Sequence, residues 1–188
     1  MLEALKFVAG SVARKDYVPE LTHFKIRGGW VQAFNGTISA ASRIDMDIDV
    51  MPWAVEMINA VKACDETMAM SITPTGRLAI KSGKFKVFVN CLDMNDAALQ
   101  TFPTPEGDII PVTSGFMTML RTLQPFMADD ASRPWAMGIM FEENSAFATN
   151  NVMLAQYWHG FPFKHRVTIP AEAVNEIVKQ KAEPTAVQ

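Results

Sequence analysis

The sequence has only two cysteines in 188 residues, Cys64 and Cys91. Their spacing suits neither a metal site nor a redox pair, so two reduced thiols in a reducing compartment are expected. An excess of charge of either sign is also lacking. Seventeen Lys and Arg against 20 Asp and Glu give a formal net charge of −3, which excludes a coat built on overall basicity. No apolar run approaches the roughly 20 residues that span a bilayer, and Glu3 and Lys6 interrupt the first apolar stretch, which argues against a secretory leader. A soluble, cytoplasmic protein without a membrane partner is expected.

Catalytic signatures are equally scarce. There is no phosphate-cradling glycine loop, no G-x-S-x-G elbow and no Cys/His nucleophile arrangement. His23, His159 and His165 lack the spacing and the acidic partners of a zinc site, so neither a metal nor any other cofactor is expected. Asp129-Asp130 reads as acidic loop surface. With a histidine it would make a small hydrolase, the remotest of the readings considered. Asp45, Asp47 and Asp49 alternate as the exposed face of one strand would.

What is present is a patterned core former, 49% hydrophobic and 20% charged. Leu5, Val8, Ala9 and Val12 make one apolar stripe on a helix from Leu2 to about Arg14. After Pro19 the period changes to two. Short antiparallel strands follow through Trp30 to Phe34 and Thr37 to Ser42, with Asn35-Gly36 as a tight hairpin turn. A second helix opens at Pro52, placed in its first turn, with Ala54, Ile58 and Val61 as its stripe. Strands recur over Thr67 to Thr73, Arg77 to Lys81 and Lys84 to Leu92.

The pattern then repeats. An offset of 115 residues takes Leu5 to Leu120, Val8 to Leu123, Pro19 to Pro134 and Ile26 to Phe141, and an offset of 118 takes Pro52 to Pro170. An α+β architecture of repeated helix-plus-antiparallel-strand units is expected. Two domains are assigned, 1–104 and 105–188, divided in the Pro- and Gly-bearing stretch from Thr101 to Pro111. On this register the second domain stops about two and a half strands short. The sequence therefore reads as part of a longer chain, or as one whose pairing another chain completes.

The ordered set LEALKFVAGSVARKDYVPELTHFKI, LAIKSGKFKVFV with Phe102-Pro103, MGIMFE, ATNNVMLA and VTIPAEAVNEIV, spanning Met1 to Val178, resembles the DNA polymerase sliding clamps, in particular the bacterial polymerase III beta subunit. The resemblance covers the family's first domain and about two thirds of its second. It implies the DNA clamp fold, a non-catalytic processivity factor that encircles or tracks duplex DNA without reading its sequence, a homo-oligomeric ring, and peptides of a DNA polymerase and clamp loader as partners.

Lys6, Arg14 and Lys15 on or after the first helix, Lys62 on the second, Arg121 on the third and Lys179 and Lys181 on the fourth read from composition alone as solvated helix faces. The resemblance makes such cations DNA-facing, Lys15 and Arg14 foremost, and places Arg133 in the second domain's DNA-contacting loop, where Asp129 and Asp130 oppose phosphate. It further implies half of a partner-peptide pocket at Thr149, Asn151, Val152, Met153 and Leu154, with Val152 and Met153 replacing a polar pair. The alternative reading is a clamp-fold interaction module that does not encircle DNA.

Overall fold

The computed structural model describes residues 1–65, 67–94, 105–112, 114–161, 163, 166–180 and 182–188. The domain boundary at residue 104, Phe102-Pro103, Asp96, His165 and Lys181 lie outside these. The chain divides into two compact units, residues 1–102 and 103–188.

Unit one runs α1 (Leu2–Val8), β1 (Lys25–Arg27), β2 (Trp30–Phe34), β3 (Ser39–Arg43), β4 (Met51–Pro52), α2 (Ala54–Lys62), β5 (Ala69–Ile72), β6 (Leu78–Ser82), β7 (Phe85–Val89) and β8 (Cys91–Leu92). The α-helix α1 is shorter than its apolar stripe. Past Val8 the chain tightens into a 3₁₀ turn, Ala9–Ser11, and Ala13 N–H donates to Leu21 O, drawing Arg14 and Lys15 into a loop. Antiparallel sheets β1-β2-β3 and β5-β6-β7 and the pair β4-β8 surround a core that joins Leu5 and Val8 of α1, Met57, Ala60 and Val61 of α2, and Leu78, Ile80 and Val89 of the second sheet.

Pro52 is not in the helix. It is buried in β4, paired with Cys91 of β8, and Trp53 occupies the N-cap of α2. Proline's missing N–H is tolerated on a two-residue strand as well as in a first helical turn, so the residue alone does not decide between the two. The Asp45–Asp49 segment is likewise in no strand, although its three carboxylates are exposed between half-buried Met46 and Ile48. Its backbone rejoins a ladder only at Val50, bridged to Ile26.

Unit two runs β9 (Ile110–Pro111), α3 (Phe116–Leu123), β10 (Gly138–Phe141), β11 (Ser145–Thr149), β12 (Leu154–Trp158), β13 (Val167–Pro170), α4 (Ala171–Lys179) and β14 (Ala186–Val187). Its sheet is ordered β12-β11-β10-β13, with β14 paired to β9. At an offset of 115, β2 and β3 fall on β11 and β12 residue for residue, and α1 falls on α3. The buried pairs follow: Leu5 and Leu120, Phe24 and Ile139, Val31 and Ala146, Ala33 and Ala148. The helices α2 and α4 match at 117 rather than 118, because the N-cap is Trp53 in one and Pro170 in the other.

Among the described residues unit two has no counterpart of the β5-β6-β7 sheet. The consequence is visible in the helices. α2 buries Ala54, Met57, Ala60 and Val61, whereas α4 buries Val174 alone and leaves Ile177 and Val178 half-buried.

Candidate nucleic-acid and partner-docking site

The six cations expected at a DNA-facing surface, Lys6, Arg14, Lys15, Lys62, Arg121 and Arg133, are all exposed. The repeat relates some of them. Lys6 of α1 matches Arg121 of α3, and Lys62 at the end of α2 matches Lys179 at the end of α4. Their surroundings differ. Lys6 Nζ pairs with Glu3 at 2.7 Å, and Lys179 pairs with Glu176, each one helical turn away. The positions matching those glutamates are Thr118 and Asn59, and among the described residues Lys62 and Arg121 have no ion pair. Across the four helices Glu3, Glu56, Glu172 and Glu176 equal Lys6, Lys62, Arg121 and Lys179 in number, so the charges of the helices sum to zero.

Positive charge is concentrated elsewhere, and the sequence reading passed over it. From Thr67 to Leu92 the chain has no Asp or Glu. Lys81 of β6 and Lys86 of β7 are direct cross-strand partners on the face turned away from the core, with Phe88 on the same face. The Arg77 guanidinium and Lys86 Nζ lie 5.0 and 4.8 Å from the Phe88 ring centroid, a cation–π arrangement that holds both charges in place. The absence of carboxylates between two acidic flanks was the available signal.

The expected pocket residues come together at one hairpin. Thr149 ends β11, Asn151, Val152 and Met153 form the turn, and Leu154 begins β12. The turn is closed by Asn150, whose Oδ1 accepts from Val152 and Met153 N–H at 3.1 and 2.9 Å, while Thr149 Oγ1 donates to Met153 O at 2.7 Å. The same device closes the β2–β3 hairpin, where Asn35 Oδ1 accepts from Thr37 and Ile38 N–H, both at 3.0 Å. That turn is therefore an Asn-capped four-residue loop, and only Gly36 of the Asn-Gly pair has a positive φ. Asn151 occupies the Gly36 position, with φ +70°. Val152 and Leu154 point outward, 89% and 71% exposed, so these side chains do not belong to the core face of the sheet.

Arg133 belongs with this hairpin. With the Asn151 carboxamide oxygen turned toward it, Arg133 Nε and Nη1 lie 2.9 and 2.7 Å from that oxygen. Asp130 Oδ2 is farther, at 3.9 Å. The Asp130 carboxylate accepts from Ser132 N–H at 2.9 Å, and hydrogen bonds from Ser132 hold it below the ordinary range. The loop that sequence reasoning assigned to DNA is thus tied to the turn assigned to partner peptides.

Solved structures of known proteins match the backbone of this chain in shape. The DNA polymerase sliding clamp from Bacillus subtilis superposes with a TM-score of 0.83 at 20% identity, over 95% of this chain and 53% of that one. The DNA polymerase III subunit beta clamp from Bartonella birtlesii gives 0.79 at 21% identity, and that from Pseudomonas aeruginosa 0.77 at 17%, with the same coverage. The fold is that of the bacterial sliding clamps. The chain spans about half the length of the clamps it matches. No family model and no curated protein matches its sequence.

Within the clamp fold the remaining reactive groups are committed to packing. His159 stacks on Phe161 at 3.8 Å between centroids, beside Phe141, and burial lowers its pKa below the ordinary 6.5. Its Nε2 has no hydrogen-bond partner among the described residues. Burial pushes the Cys91 thiol up, away from the thiolate a nucleophile needs. Among the described residues Asp129 and Asp130 hydrogen-bond no histidine, and no three His, Cys, Asp or Glu side chains gather as a metal site would require. Nor, among these residues, is any helix long and apolar enough to cross a membrane.

Proposed function

We propose that this chain works as a sliding clamp, a non-catalytic cytoplasmic processivity factor that assembles with further copies around duplex DNA and tethers a polymerase through its exposed hairpin. The observation that carries the reading is the duplicated clamp unit, with matched cations at Lys6 and Arg121 and at Lys62 and Lys179 on exposed helix faces. A protein that glides needs a few weak phosphate contacts and no base readout. Helices whose charges cancel, with Arg14 and Lys15 added at a loop, supply attraction of that weak kind.

Assembly has its own surface. The cationic outer face of β6 and β7, with β7 at the sheet edge, suits an acidic face of another copy, where the Lys81 and Lys86 charges would find counterions. The test is duplex binding by fluorescence polarisation across a salt series. The clamp reading expects affinity that is indifferent to sequence and falls with salt, with a slope lowered by about one in Lys15→Glu.

The offsetting of the four helix cations by four glutamates favours one second reading, a clamp-fold module that binds protein partners without DNA. It expects no salt-dependent DNA affinity at all.

A further inference from the structure

We propose that the open edge of β5 takes up an extended acidic segment of a partner protein as a further antiparallel strand. The repeat shows what such an edge holds. At the 117-residue offset that matches α2 with α4, β14 falls on Ala69 and Met70 at the start of β5. In unit two that strand is paired with β9, Ala186 opposite Pro111 and Val187 opposite Ile110. Among the described residues β5 is paired on one side only, by β6. Its backbone is set for the same kind of partner. Thr73 N–H donates to Arg77 O at 2.8 Å, and bonding alternates along an antiparallel pair, so Ala69, Ser71 and Thr73 turn their N–H and C=O groups to β6 while Met70 and Ile72 turn theirs to the open side. Unit two has the same phase. Val112 N–H donates to Thr185 O at 3.1 Å, which makes Val187, the match of Met70, the bonded partner of Ile110 and leaves Pro111 where no N–H is needed.

The side chains specify the partner. Met70 and Ile72 share the core face with buried Ile80 and Leu78, their cross-strand partners, yet Ile72 is 49% exposed. The residues that come to lie opposite Met70 and Ile72 must therefore be apolar. On the other face Ala69 and Ser71 are short, and Lys81 of β6 stands directly across from Ala69. No Asp or Glu lies between Thr67 and Leu92. An acidic residue placed opposite Ala69 or Ser71 brings a carboxylate within reach of the long Lys81 side chain, and a basic one is repelled. β5 itself, Ala-Met-Ser-Ile, has no proline, glycine or charge that would keep a strand away. The partner is thus an extended segment that alternates acidic and apolar residues, held by main-chain hydrogen bonds and selected by its side chains. This edge is on the far side of the sheet from β7, and its occupancy is independent of DNA binding.

The test is an amide NMR titration and hydrogen-exchange measurement on the whole 188-residue chain with the peptide N-acetyl-Glu-Val-Glu-Val-Glu amide. The Met70 and Ile72 amides are expected to shift and gain protection, while those of Ala69 and Ser71, already bonded to β6, keep theirs. The corresponding peptide with lysine in place of glutamate should need a concentration about tenfold higher, and Lys81→Gln should narrow that gap. N-methylation of the two valines, whose N–H groups face Met70 and Ile72, should abolish binding, whereas N-methylation of the central glutamate should not, as Pro111 is accommodated opposite Ala186. No binding, shifts confined to the β7 amides Phe85 to Val89, equal titration by the glutamate and lysine peptides, a gap unchanged in Lys81→Gln, or indifference to N-methylation of the valines overturns the proposal. Each of these outcomes leaves the DNA-binding reading untouched.

Discussion

Lys81 of β6 stands directly opposite Lys86 of β7, two like charges at one cross-strand position. Such a pair costs stability in the isolated sheet, on the order of 0.5 kcal/mol. Lys86→Glu should therefore stabilise unit one by about 0.5–1 kcal/mol in urea unfolding at low salt, with the gain shrinking as salt is added. A loss of stability would mean that the contact of Lys86 with the Phe88 ring outweighs its repulsion from Lys81. The same substitution should weaken self-association, if the basic face is where copies meet.

Gly138 is the close-packed point of unit two. A Cβ added there would lie 2.3 Å from Ile169 O and 2.9 Å from Thr168 Cγ2, both on the neighbouring strand β13. Backbone cannot yield as a flexible side-chain end can, so Gly138→Ala should spread β10 from β13 and cost about 2–4 kcal/mol. Thermal unfolding of the variant checks this, and an unchanged midpoint would contradict the register Gly138 to Pro170.

His159 makes unit two sensitive to acid. Its folded pKa is lowered chiefly by burial, so below the unfolded value of 6.5 the unfolded state binds the proton more readily. The stability it contributes is fully present above pH 6.5 and falls as pH drops below that value until the folded pKa is passed. His159→Phe should flatten this part of the stability profile of unit two, and His23, lowered by burial in unit one, should leave a separate dependence there. An unaltered pH profile for unit two in His159→Phe would show that the ring is not the titrating group.

Asn151 holds a left-handed backbone that its counterpart Gly36 adopts without penalty. Asn151→Gly relieves that strain by about 0.5–1 kcal/mol and removes the acceptor of Arg133. Hydrogen exchange at the turn amides separates the two effects: greater protection means that strain dominates, and lesser protection means that the Arg133 contact holds the turn.

Much of this architecture was legible because the two units share their buried pattern. The 115-residue offset read from Leu5, Val8, Pro19 and Ile26 is the offset that superposes β2 on β11 and β3 on β12. The helix register was misjudged by one residue because Pro52 satisfies the rules for a first helical turn and for a short strand alike, and only pairing with Cys91 decides between them. The pairing of Ala186 and Val187 with Ile110 and Pro111 links segments far apart in sequence and leaves no local periodicity to read. At the candidate site, the exposure of Lys6, Lys62 and Arg121 followed from helical phase, whereas Arg14, Lys15 and Arg133 are exposed on loops. Whether a cation is engaged did not, because Lys6 and Lys179 depend on a glutamate one turn away, and the contact between Arg133 and Asn151 joins a loop to a hairpin.

In the proposed function this protein holds duplex DNA by surrounding it. Retention on nicked circular DNA, compared before and after a single linearising cut, distinguishes surrounding from surface binding. The account predicts that protein retained on the circle at moderate salt is lost once the circle is cut open. Equal retention on both forms, or none on either, would contradict it.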